Sequence, residues 1–237
     1  ELKDQGFVVI SVAMDTRGEE SARPFIEAAH PSYPVLIDQE HRVSELYNMV
    51  NVPQAVWIDE EGDIVRPTEV AGSNDGFRPR TADLTPEQLA ELRGTKSRYV
   101  EAIKDWVAKG TASEFALSPD EVRARMRLPS EEVGLANAHF RLGLFLRTHG
   151  RAEEGDGHLA EAKRLRPESW NFKRQAWNLE APGDERSSGP DFWAAVAALG
   201  DDPYYEPIDM PGMPRPPGWP GPRGQDGGRE EGPTPGS

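Results

Sequence analysis

The 237-residue chain contains no cysteine. That absence excludes disulfide staples, cysteine-ligated zinc and thiol catalysis within these residues. Positive charge is scarce too: 27 Lys and Arg stand against 41 Asp and Glu, for a net charge of −14 and a pI near 4.9. Contact with nucleic-acid phosphates needs clustered Lys and Arg, so the balance argues against that class of partner. No apolar run approaches the ~20 residues of a membrane span, so no membrane segment is expected. Gly-x-Gly-x-x-Gly, Walker and Gly-x-Ser-x-Gly signatures are all missing. The five histidines, His30, His41, His139, His149 and His158, lack His-x₃-His spacing, so neither a metal site nor a cofactor is expected.

Turn-formers, in contrast, are plentiful. There are 23 glycines and 22 prolines, roughly a fifth of the chain against an average near ~12%. They are concentrated at the end, where about half of residues 201–237 are Gly or Pro. Such a composition predicts a tail, 201–237, that is largely disordered. Tyr204, Tyr205, Ile208, Met210 and Trp219 are the residues able to dock part of it on a neighbour.

Residues 7–72 alternate strand and helix signals. Phe7–Met14 is a nearly continuous apolar run of the kind buried on both faces of a parallel sheet. Ala22, Phe25, Ile26 and Ala29 fall at helical spacing. Tyr33–Asp38 reads as a second strand, and Val43, Leu46, Tyr47 and Val50 as a second helical stripe. From Asn51 to Val65 the pattern is strand, acidic Gly turn, strand, which predicts a hairpin. The fold class expected from this alternation is α/β.

Beyond a polar loop at 73–84, Thr85-Pro86-Glu87-Gln88 is a capping box that opens a helix running to about Lys109, with Gly94 a candidate break. Ser118-Pro119-Asp120-Glu121 opens another. Residues 136–169 are similar to one tetratricopeptide repeat, with Leu142-Gly143, Leu159, Ala162, Leu165 and Pro167 on its small and apolar positions. Gly155 stands where that repeat has Ala. A further short helix is expected around Asp191–Leu199. Three regions result: 1–110, 118–200 and 201–237.

Val52-Pro53-Gln54-Ala55-Val56-Trp57-Ile58-Asp59 followed by Gly62 resembles the cis-proline segment of thioredoxin-like proteins. The nearest likeness is to the TlpA and AhpC/TSA redoxin branch, whose usual run is Pro-Thr-Thr-Phe-Leu-Ile-Asp. Ser11–Asp15 and Tyr33–Asp38 also resemble that branch, and the likeness covers about residues 1–110. It implies an incomplete thioredoxin-like fold in which Val52, Pro53 and Gln54 form a substrate-docking loop. Gln54 departs from the usual Thr. The likeness further implies a thiol–disulfide oxidoreductase as parent protein, acting on protein or peptide thiols and disulfides. Its Cys-x-x-Cys would lie ahead of Glu1, because Glu1–Gly6 reads as a helix end. A strand would then be lacking between 7–14 and 55–58, leaving either a gap or a direct pairing of those two. This chain, without cysteine, is expected to be redox-inactive.

Three further expectations concern sites. Asp15, Asp38 and Asp59 all close strands and could meet at one sheet edge as acid, base or Mg²⁺ ligands; capping and turn chemistry is the competing explanation. Arg164, Arg166, Lys173 and Arg174 are grouped as a basic patch, and helices 130–200 as a surface for a protein partner. The alternative function is therefore a non-catalytic thioredoxin-like and tetratricopeptide-like adaptor, with a cytoplasmic location favoured.

Overall fold

A computed structural model of the chain describes residues 2–78, 84–126, 128–180 and 189–214. The molecule mixes helix and sheet, with helix dominant. β1 (Ser11–Ala13) and β2 (Val35–Ile37) pair in parallel, and α1 (Glu19–Ala29) supplies the crossover that parallel pairing requires. A single turn and a half, α2 (Arg42–Leu46), follows. β3 (Gln54–Ile58) and β4 (Ile64–Val70) form the expected antiparallel hairpin. Its turn is closed by Asp59, whose carboxylate accepts from the Asp63 amide at 2.8 Å, and by Gly62 at φ 89°. No hydrogen-bonded ladder joins the two pairs among the described residues.

The first strand is shorter than its apolar run. Only Ser11–Ala13 pairs, because β2 offers three residues; Val8, Val9 and Ile10 are exposed. Residues 2–6 form a turn, closed by the Gln5 amide on the Leu2 carbonyl, and not a helix end. α3 (Pro86–Lys109) runs unbroken through Gly94. Its capping box is closed both ways between Thr85 and Gln88, as is the Ser118–Glu121 box ahead of α4 (Pro119–Arg125).

α5 (Glu131–Thr148) and α6 (Ala152–Leu165) make the predicted hairpin. Gly143 and Gly155 let them touch backbone to backbone: a Cβ on Gly143 would lie 2.9 Å from the Gly155 carbonyl oxygen. α7 (Trp170–Glu180) closes this core with Phe172 and Ala176 against Phe140, Leu159 and Ala162. α8 (Pro190–Ala197) packs Phe192 and Val196 on Trp170 and Tyr204.

The Gly/Pro-rich region is ordered further than its composition implies. Ile208, Met210 and Met213 are buried against Trp57, Val65, Val70 and Tyr99, so residues 203–214 complete the core of the β3–β4 sheet. Few apolar residues suffice because each is large and fully covered. Residues 79–83, 181–188 and 215–237, with Trp219, lie outside the described residues.

Candidate functional site

The residue types around the Val52-Pro53-Gln54 loop determine how much of it is open. The Val52–Pro53 peptide is cis, and the Pro53 ring is exposed. The polar groups of the loop are mostly occupied from within. Gln54 turns its carboxamide back, and its oxygen accepts from the Val50 amide at 2.9 Å. The Val52 amide donates to the Asn51 side chain at 2.9 Å, and its carbonyl accepts from the Tyr205 hydroxyl at 3.0 Å. The Pro53 carbonyl accepts from the Ala71 amide. Both polar backbone groups of Val52, which a docked peptide strand would use, are therefore taken.

Beside this loop lies a cleft of about 210 Å³, lined by Met14, Asp15 and Arg17 after β1, by His41, by Val52, and by Asn171, Arg174, Gln175 and Asn178 of α7. The α7 residues fall at i, i+3, i+4 and i+7, one polar side of a helix whose Phe172 and Ala176 enter the hairpin core. Two of these amides fasten the α/β part to the helices. The Gln175 oxygen accepts from the Thr16 amide and hydroxyl at 3.2 and 2.9 Å, and its nitrogen donates to the Met14 carbonyl. Asn171 donates to the Met49 carbonyl at 2.9 Å. The Asn178 side chain is buried and makes no hydrogen bond among the described residues.

The charges differ in how far they are committed. Asp15 accepts from Arg17 at 2.9 and 3.1 Å, from the Arg17 amide, and from Ser21. Burial pushes its carboxyl up, yet these bonds and the guanidinium charge outweigh it and hold the pKa below the usual carboxylate value. Arg174 lies over the Phe192 ring and has no carboxylate partner among the described residues. His41 is only 3% exposed, and neither ring nitrogen has a hydrogen-bond partner. Burial lowers its pKa to about 4 against the opposing pull of Asp38 and Asp15, so it is neutral at pH 7. Its ring meets Phe140 edge-on at 5.1 Å, wedged between the two parts of the molecule.

The aspartates do not assemble. Asp38 caps α2, accepting from the Arg42 and Val43 amides at 2.8 and 2.7 Å. Asp59 serves its turn on the other sheet, and only Asp15 reaches the cleft. Nor do the four basic residues form a patch. Arg164 pairs with Glu161, Arg166 is buried with Asn48, Asn137 and Glu168, and Lys173 and Arg174 lie over Trp170 and Phe192. His139 and His158 meet at 2.8 Å between Nδ1 atoms, one donating to the other. No group of three or more His, Asp or Glu side chains is placed to hold a metal ion among the described residues.

A second surface lies on α5. Leu135, Leu142 and Phe145 project from the side opposite its packed face and are 42–55% exposed. Leu142, on an apolar position of the repeat pattern, is one of the exposed residues; the close approach to α6 is made at Gly143, against Leu159.

No family profile, no curated protein and no solved structure matches this chain. No described helix is long and apolar enough to cross a membrane. His41, Asn171, Arg174, Gln175 and Asn178 were not legible as a site. For the four α7 residues the signal is the polar i, i+3, i+4, i+7 pattern running between aromatic positions, of which only Arg174 was singled out, as part of a basic patch; His41 carries none.

Proposed function

We propose that this chain works by binding a protein partner: a cysteine-free, thioredoxin-like α/β unit fused to a tetratricopeptide-like hairpin, acting as an adaptor. The observation that carries this reading is the apolar stripe of Leu135, Leu142 and Phe145, exposed on a helix whose other face is already packed. A helix apolar on both sides belongs between two partners, and here one side has none among the described residues. The occupied backbone of Val52 supports the same reading, since a substrate strand would have to displace Tyr205.

The second reading is a thiol–disulfide oxidoreductase parent whose cysteines lie outside this chain, acting on protein or peptide disulfides. It rests on the order of segments from Ser11 to Asp59 and on the exposed Pro53 ring beside the cleft.

The test is capture on the immobilised chain, compared with Leu142→Asp/Phe145→Asp and with a control changed on the exposed side of α3, Glu101→Lys. The adaptor reading expects a protein held by the parent chain and the control and released by the double variant. Equal capture by all three contradicts it. An insulin-reduction assay on the same chain is expected to show no turnover, because no thiolate is present to attack a disulfide.

A further inference from the structure

We propose that the cleft between the end of β1, His41, Val52 and α7 binds a carboxylate, held by Arg174 and completed by Asn178 and His41.

Four observations converge on it. The space is built: about 210 Å³ is room for several waters or a small organic acid. One cation in it has no carboxylate to neutralise it among the described residues, its contacts being the Phe192 ring and the Tyr204 side chain. Arg17 is tied to Asp15 by two side-chain bonds, whereas Arg174 has no carboxylate partner among the described residues. Guanidinium groups bind carboxylates through paired N–H donors, which gives both strength and orientation.

Amide donors follow the same division. Gln175 and Asn171 are spent on the Thr16, Met14 and Met49 groups, and Asn178 is the amide of the stripe whose side chain has no hydrogen bond among the described residues. His41 supplies the fourth observation. Both of its nitrogens are buried without a partner, which leaves a desolvation cost standing in the empty protein. A neutral imidazole carries one donor and one acceptor. Neither nitrogen opens on the cleft while the ring packs on Phe140, so a ligand there removes that cost by drawing the ring round, which the His41 ring protons report.

The charge count selects the ligand class. Arg17 and Asp15 cancel, which leaves one positive charge for one negative charge. A phosphate dianion would carry a second charge toward Asp15, so a monocarboxylate fits better. It comes either from a free small acid or from the C-terminus of a peptide. Neither source depends on the partner surface of α5.

The experiment is an NMR titration of the full chain, following the His41 ring protons and the Asn178 side-chain amide. The probes are acetate, lactate, and tri-alanine with a free or an amidated C-terminus. A saturable shift with one of the free acids at a Kd below about 1 mM is expected. Binding of free but not amidated tri-alanine assigns a peptide end as the source. Binding of lactate or acetate without tri-alanine assigns a free acid. Arg174→Gln should weaken binding about tenfold, while Arg17→Gln should change it by less than about threefold. No saturable shift with any probe up to ~20 mM overturns the proposal, as does unchanged affinity in a folded Arg174→Gln. Should that variant lose its near-ultraviolet circular dichroism, Asn178→Ala decides: retained affinity overturns the proposal and a loss of threefold or more supports it.

Discussion

Arg66 is 1% exposed and carries a full charge, so its surroundings must supply what water would. They do: Glu69 accepts through both oxygens at 2.8 Å, the Phe115 and Asp209 carbonyls accept at 2.8 Å each, and the Trp57 ring lies beneath. Arg66→Met strands a buried carboxylate and two carbonyls, and a loss of about 3–5 kcal/mol in denaturant unfolding is expected. Arg66→Met combined with Glu69→Gln should recover part of that loss. His41 gives a second prediction at this scale. Its folded pKa of about 4 lies below the unfolded value near ~6.5, so the unfolded chain binds the proton first as pH falls. Stability from this group is full above the unfolded pKa and declines between about pH 6.5 and 4, by on the order of 3 kcal/mol. The parent chain and His41→Phe, unfolded in urea at pH 7 and pH 4.5, check it: the variant should lose less stability on acidification.

At the scale of elements, glycine means different things at two positions of one helix. A Cβ at Gly143 would press on Leu159 Cγ at 2.8 Å and on a backbone oxygen that cannot move aside, whereas one at Gly134 meets nothing within 4 Å. Gly143→Ala is therefore expected to destabilise by about 1–3 kcal/mol. Gly134→Ala should stabilise by up to about 1 kcal/mol through helix propensity. Chemical denaturation of the two variants gives opposite signs if the hairpin crosses where described. Local rules of this kind made several elements legible in the sequence. Thr85 and Ser118 announce their helices, Gly62 its turn, and Gly143 its crossing. The strand at 7–14 misled because an apolar run states a preference for burial but not whether a partner strand is there to supply it. Val8, Val9 and Ile10 are exposed for that reason.

For the whole molecule, long-range pairing decides what no local pattern states. Asp75 accepts from the Tyr204 and Tyr205 amides at 2.9 and 2.8 Å, and Arg78 donates to the Asp202 carbonyl at 2.6 Å. These bonds draw the Gly/Pro-rich segment onto the α/β part, a placement that composition alone argues against. The candidate cleft was hidden for a similar reason: its residues come from positions 14 to 178 and share a place only after α7 docks. The proposed likeness of residues 1–110 to redoxins rests most on Val52–Asp59, while the site beside that loop owes most of its polar side chains to the helical region. The proposed adaptor role, with the hairpin presenting a surface and the junction holding it fixed, rests on that division. The measurement that tests it most directly is photo-crosslinking from a benzoylphenylalanine at position 145, against the same probe at Glu101, in cells producing the full protein. The account predicts one protein adduct from position 145 and none from position 101. No adduct at 145, or the same adducts at both positions, would contradict it.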